Sequence, residues 1–212
     1  MKSRMLFFLC LAMLVSCKKE MDEDLVNDYH LQQVNAGSHY CTVDRTVITS
    51  FQSSEFLCYV KLDTSLLVHG EQSFQSKLCG FYEDDIHTNS ARVSYQTITG
   101  PTLDQDTLSL KMYVYNNGQR NLTENLVIKR LSRLDILSLL QSGGFLKISI
   151  KVTATNYVFQ IDNDPPMSTI RTTGTAVTAK KYLANHYYGG PDEIYAPHDM
   201  KMWIKFDKIM LE

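Results

Sequence analysis

Along most of this chain apolar and polar residues alternate with a period of two, the pattern of a strand that buries one face and wets the other. Thr107–Asn116 shows it most clearly. Leu108, Leu110, Met112 and Val114 share one side, and Ser109, Lys111, Tyr113 and Tyr115 share the other. Asn116-Asn117-Gly118 follows, and Asn and Gly tolerate the positive φ of a tight hairpin turn, so the return strand is expected at Leu126–Arg130. Phe145–Ala154 repeats the alternation, with Leu146, Ile148, Ile150 and Val152 inward and Lys147, Ser149 and Lys151 outward. Tyr157–Ile161 and Met202–Leu211 read similarly, and further strands are expected around Tyr40–Thr49, Glu55–Asp63 and Ala91–Ile98. One stretch departs from period two. In Ser132–Gly144, Leu134, Leu137 and Leu140 fall at helical spacing, and Ser132 precedes Asp135 by three residues as in a capping box. Gly143 can supply the left-handed stop. Many short strands and one short helix predict a mainly β domain, either a β-sandwich or a lipocalin-like barrel, with the helix closing one end.

The N-terminus follows another rule. Lys2 and Arg4 precede Met5–Val15, an uncharged apolar run without a polar face. A membrane-spanning helix needs roughly twenty such residues, so a run of this length behind a basic start predicts a secretory signal helix that is later cleaved. The run ends at Leu14-Val15-Ser16-Cys17, which resembles the lipobox of bacterial lipoproteins: an aliphatic residue, a small residue before the cut, and a cysteine. That resemblance implies diacylglyceryl transfer to the Cys17 sulfur, cleavage before Cys17 and acylation of its new amine. Each buried methylene contributes about 0.8 kcal/mol, so two or three chains hold a protein to a bilayer where a single chain holds it only marginally. The charged stretch Lys18-Lys19-Glu20-Met21-Asp22-Glu23-Asp24 then resembles the surface-export signals of Bacteroidota envelope lipoproteins, and it also reads as a solvated tether. From Cys17 to Tyr29 it reaches roughly 40 Å when fully extended. The expected organisation is a signal peptide over 1–16, a tether over 17–28 and one β-rich domain over 29–212, anchored in the outer membrane and facing either the periplasm or the cell surface.

Charge narrows the partners. The chain has 21 basic and 23 acidic residues; without Lys2 and Arg4 the balance is 19 against 23, a net of −4. No basic stripe favours nucleic acid. Of five cysteines, Cys10 leaves with the signal and Cys17 takes lipid, so Cys41, Cys58 and Cys79 remain and allow at most one internal bridge. Cys58 alternates inward with Phe56, Val60 and Leu62, which suits a buried free thiol; if a bridge forms, Cys58–Cys79 is the favoured pair. No cysteine or histidine spacing points to a metal, and no cofactor is expected.

Catalytic signatures are missing as well: no GxSxG elbow, no HExxH, no phosphate-binding glycine loop and no dinucleotide fingerprint. Glu83-Asp84-Asp85 with His87 is the densest acidic knot, but neighbouring carboxylates in a turn rarely converge on one target. Asp162-Asn163-Asp164-Pro165-Pro166 offers oxygens that calcium accepts, in residues that also build ordinary turns. The most suggestive cluster comes late: Tyr182, His186, Tyr187, Tyr188 and Tyr195, with Gly189-Gly190 and His198 between and beside them. Aromatic rings with polar tips stack on sugars or grip a partner; the same rings can instead cover a barrel mouth or a sheet edge. Two functional classes follow. The favoured one is a non-enzymatic, lipid-anchored module that binds glycan, peptide or another envelope protein. The alternative is an envelope hydrolase acting on glycan or peptide, its site assembled from distant carboxylates.

Overall fold

In the computed structural model of the 212-residue chain, residues 28–43, 49–69, 74–120, 126–189, 194–207 and 210 are described. The expected signal peptide, Cys17 and the tether as far as residue 27 lie outside the described residues. Among the described residues, no helix is long and apolar enough to cross a membrane.

The strands are β1 (His30–Val34), β2 (Cys41–Val43), β3 (Ser50–Phe51), β4 (Glu55–Leu62), β5 (Ser76–Tyr82), β6 (Ser90–Ile98), β7 (Thr107–Asn116), β8 (Gln119–Arg120), β9 (Val127–Ser132), β10 (Leu146–Val152), β11 (Asn156–Ile161), β12 (Met167–Ile170), β13 (Lys181–Ala184) and β14 (Met200–Phe206). They form two antiparallel sheets. Sheet I runs β12-β11-β10-β4-β14-β1-β2; sheet II runs β3-β13-β5-β6-β7-β8, with β9 also paired to β7. The sheets stay separate, so the fold is a sandwich and not a closed barrel.

Alternation builds the core. Phe56, Cys58, Val60 and Leu62 of β4 and Ile148, Ile150 and Val152 of β10 meet Leu108, Leu110, Met112 and Val114 of β7 in one apolar interior. Rings cross between the sheets: Phe81 of sheet II lies 6.2 Å from Phe56 and 6.0 Å from Tyr157 of sheet I. Cys58 and Cys79 face each other across the same layer as free thiols, their sulfurs 3.8 Å apart. Burial holds the Cys58 thiol well above its ordinary pKa. At one end of the sandwich sits α1 (Arg133–Gln141). Ser132 accepts from the Asp135 N–H and the Asp135 carboxylate accepts from the Ser132 N–H, a complete capping box that seats Ile136 in the core.

Three local readings change. The strand returning from the hairpin is β8, immediately after Asn117 (φ 50°) and Gly118 (φ 77°), while β9 pairs further along β7. The acidic knot is divided: Glu83 turns inward to pair with Arg171 at 2.9 Å, while Asp85 accepts the His87 N–H and shapes the β5–β6 turn. Asp162 and Asp164 both clasp Lys129, at 3.2 and 2.7 Å, so an ammonium occupies the position offered to calcium.

Candidate functional site

Sheet I turns a lysine-bearing face to water, but the outer face of sheet II is recessed. Arg92 points outward from β6 between core residues Ala91 and Val93, and yet only 4% of it is exposed. Its outward neighbours Ser90 and Ser94 on β6 are fully covered. Register explains how the site assembles. Ala184 of β13, Gly80 of β5, Arg92 of β6 and Tyr113 of β7 stand opposite one another in a row across four strands. The next row holds Tyr182, Tyr82, Ser90, Tyr115 and Arg120. On the other side of Arg92, Tyr187 bridges to Lys77, which pairs with Ser94 and through it with Lys111. Five neighbouring strands at ~4.8 Å spacing make a surface about 19 Å wide.

Gly80 makes the recess. Its φ is +150°, and a Cβ there would lie 2.3 Å from the Ala91 carbonyl oxygen, 2.6 Å from the Arg92 Cα and 3.0 Å from the Arg92 Cγ. The missing side chain lets β5 and β6 close up and gives the Arg92 stem its place. The guanidinium then stacks over Tyr113 at 4.7 Å and lies 5.9 Å from the Tyr115 ring. Two further cations share Tyr113: Lys77 at 5.1 Å and Arg120 at 5.3 Å. Lys77 also lies 5.1 Å from the Tyr187 ring and donates to the Gly189 carbonyl at 2.9 Å. Such contacts contribute roughly 0.5–2 kcal/mol each, more as water is excluded.

Among the described residues, three cations crowd one another on this face. Burial, with Arg92 and Arg120 adding to it, lowers the Lys77 pKa to about 8. Burial also lowers Arg92, against the Tyr113 and Tyr115 rings beside it. Lys111 is lowered by burial and by Arg130. Among the described residues, no carboxylate belongs to the groups that shift these three. Arg92 Nη2 makes a long contact of 3.4 Å to the Ile86 carbonyl, and its buried Nε has no hydrogen-bond partner.

The late aromatic cluster is divided by the fold. Tyr182 lies on this face, its ring stacked on Tyr82 at 5.4 Å with Lys180 5.1 Å above it. Tyr187 joins the face to a second group, stacked on His39 at 5.5 Å and edge-on to Tyr40 at 5.4 Å; Tyr195 packs on His39 at 4.5 Å. Tyr40 and Tyr195 are 73% and 52% exposed and form the outer rim. His186 and Tyr188 are interior instead. Both lie beyond β13, where the inward and outward phase has reversed relative to Tyr182 and Ala184, and the Tyr95 hydroxyl meets His186 Nε2 at 2.8 Å. Burial holds His186 near a pKa of about 3, so it is neutral at physiological pH. His198 contacts the Ser65 carbonyl at 2.7 Å, away from the face. Arg92, Tyr113, Tyr82, Lys77 and Gly80 escape a motif search because pairing register alone brings them together. The tyrosines and lysine on the polar side of Thr107–Asn116 are the one trace of them in the sequence.

Other polar clusters are structural. His69 contacts both oxygens of the buried Asp106 at 2.9 Å, and Asp106 also accepts the Gly100 N–H, which ties loops together at one end. Among the described residues no group of three His, Cys, Asp or Glu side chains is placed to hold a metal.

No protein-family model matches the chain, and no curated protein does. Several solved structures are similar in fold. A Bacteroides ovatus mixed-linkage glucan GH16 protein in complex with product is 11% identical, with 84% of this chain and 79% of that one covered and a TM-score of 0.45. The GH16 endo-β-1,3(4)-glucanase SCLam is 12% identical, with coverage of 84% and 69% and a TM-score of 0.48. The alginate lyase Aly36B is 12% identical, with coverage of 84% and 78% and a TM-score of 0.44. At these values the functional reading rests on the chain's own residues.

Proposed function

We propose that this chain is a lipid-anchored envelope protein whose sandwich binds glycan, without cleaving it, on the outer face of sheet II. One observation carries the binding reading: Tyr82, Tyr182, Tyr113, Tyr115 and Tyr187 stand in register on one recessed face, beside cations that lie over four of those rings. Rings of this kind offer flat apolar area with polar tips at low entropic cost, which suits the faces of sugar rings. Anchoring is supported by Leu14-Val15-Ser16-Cys17 behind a short apolar run. An acylated Cys17 would moor the domain to the outer membrane. Glycoside hydrolysis ordinarily needs two carboxyl groups about 5–10 Å apart; Glu83, at the end of β5, is instead committed to Arg171 at 2.9 Å.

The test is affinity electrophoresis of the mature protein in gels containing defined polysaccharides, with chain length of the polysaccharide followed alongside. Retardation by at least one glycan, weakened tenfold or more in Tyr182→Ala and Tyr82→Ala, supports the reading. Shortened chains would assign the hydrolase alternative, and unaltered retardation in both variants would move the site elsewhere. Membrane fractionation with Cys17→Ser tests the anchor: release of the variant into the soluble fraction is expected, and unchanged membrane association would contradict it.

A further inference from the structure

We infer that the glycan bound on sheet II is acidic, its carboxylate or sulfate groups held by Arg92, Lys77 and Lys111. This rests on the reading of the face as a glycan surface and adds the ligand's charge. An unpaired charge taken out of water costs several kcal/mol, and natural proteins pair such groups or place them where a ligand completes them. Arg92 is buried, faces outward and has no carboxylate partner; its Nε has no hydrogen-bond partner, and its Nη2 makes only the long Ile86 contact. Tyr113 fixes the plane of the guanidinium, which leaves the Nε–Nη2 edge as an underused fork. That edge suits two oxygens of a carboxylate or sulfate, which accept parallel N–H bonds from guanidinium groups.

The neighbouring charges agree. Lys77 already donates one N–H to the Gly189 carbonyl and has two more for an anion. Lys111 donates to Gln96 Oε1 at 2.8 Å and sits one row away, half-buried. The chain as a whole is slightly acidic, so this basic face stands against its net charge. A neutral sugar would leave the repulsion between Lys77 and Arg92 in place; an acidic one offsets it and gains the aromatic contacts as well.

Isothermal titration of the mature protein with polygalacturonate, a sulfated galactan, a neutral mixed-linkage glucan and an oligothymidylate of matched charge decides the matter. Either acidic glycan is expected to bind at least tenfold more tightly than the neutral one, with a preference that shrinks as salt rises. The better of the two tells carboxylate from sulfate. Arg92→Gln should reduce that preference tenfold or more. Lys111→Gln, at a less buried position, should reduce it by a smaller factor with an unchanged thermal melt, which keeps the test valid if the Arg92 variant folds poorly. Equal affinity for neutral and acidic glycans overturns the acidic assignment and leaves glycan binding standing. Equal affinity for oligothymidylate overturns it too, since the face would then bind any polyanion. Binding of none of the four overturns both readings.

Discussion

Lys77 illustrates how much the surroundings of one side chain decide. Arg92 from β6, Arg120 from β8 and the Tyr113 and Tyr187 rings all face its ammonium, and the Gly189 carbonyl accepts from it. Burial and the two guanidinium groups lower its pKa from 10.5 to about 8. Below pH 8 the group is an ammonium and attracts an acidic ligand; above it the charge is lost. Affinity for an acidic glycan is therefore expected to fall as pH rises from 7 to 9.5, with the midpoint shifted upward by bound ligand. Titrations across that range check it. Lys77→Met should bind more weakly at pH 7 and show a flatter profile, and an identical slope in the variant would mean that another group titrates.

At the scale of elements, what could be read in the sequence depended on which faces each strand buries. The strands β4, β7, β10 and β11 alternate cleanly because one face carries the apolar core residues and the other mostly polar or aromatic ones. β5 shows no such period, because Ser76, Lys77, Gly80 and their inward neighbours are all buried. β1 hides it differently: His30 and Gln32 take inward positions, so polar letters stand where apolar ones are expected. The helix was legible because its cap is local, with Ser132 and Asp135 three residues apart. The candidate face was only half legible. Tyr182 and Tyr187 stand out as part of a dense aromatic run, but Arg92 reaches Tyr113 only through the β6–β7 register, and a Lys77/Cys79 bulge in β5 aims Lys77 outward. Gly80 carries the element-scale consequence. Gly80→Ala forces a Cβ against the Ala91 carbonyl and the Arg92 backbone at a φ that L residues avoid. It should lower unfolding free energy by about 1–3 kcal/mol and weaken acidic-glycan binding by displacing Arg92. Urea unfolding together with titration checks both; full stability with full affinity would show that β5 and β6 can part at no cost.

For the whole molecule, the sandwich separates two tasks. Its interior is crossed by rings from both sheets and by the facing Cys58 and Cys79 thiols, which hold the layers together without contributing to the outer faces. Sheet I carries Tyr59 and Trp203 outward, while sheet II carries the recessed row of tyrosines and cations. A tether at the N-terminus would leave either face open to a polymer in the envelope. The direct test of sheet II as the binding surface is hydroxyl-radical footprinting of the mature protein, with and without the tightest-binding glycan, read residue by residue by mass spectrometry. Protection of Tyr82, Tyr115, Tyr182 and Tyr187 is expected, with Tyr59 and Trp203 on sheet I labelled as before. Protection of Tyr59 and Trp203 with sheet II unchanged would contradict it.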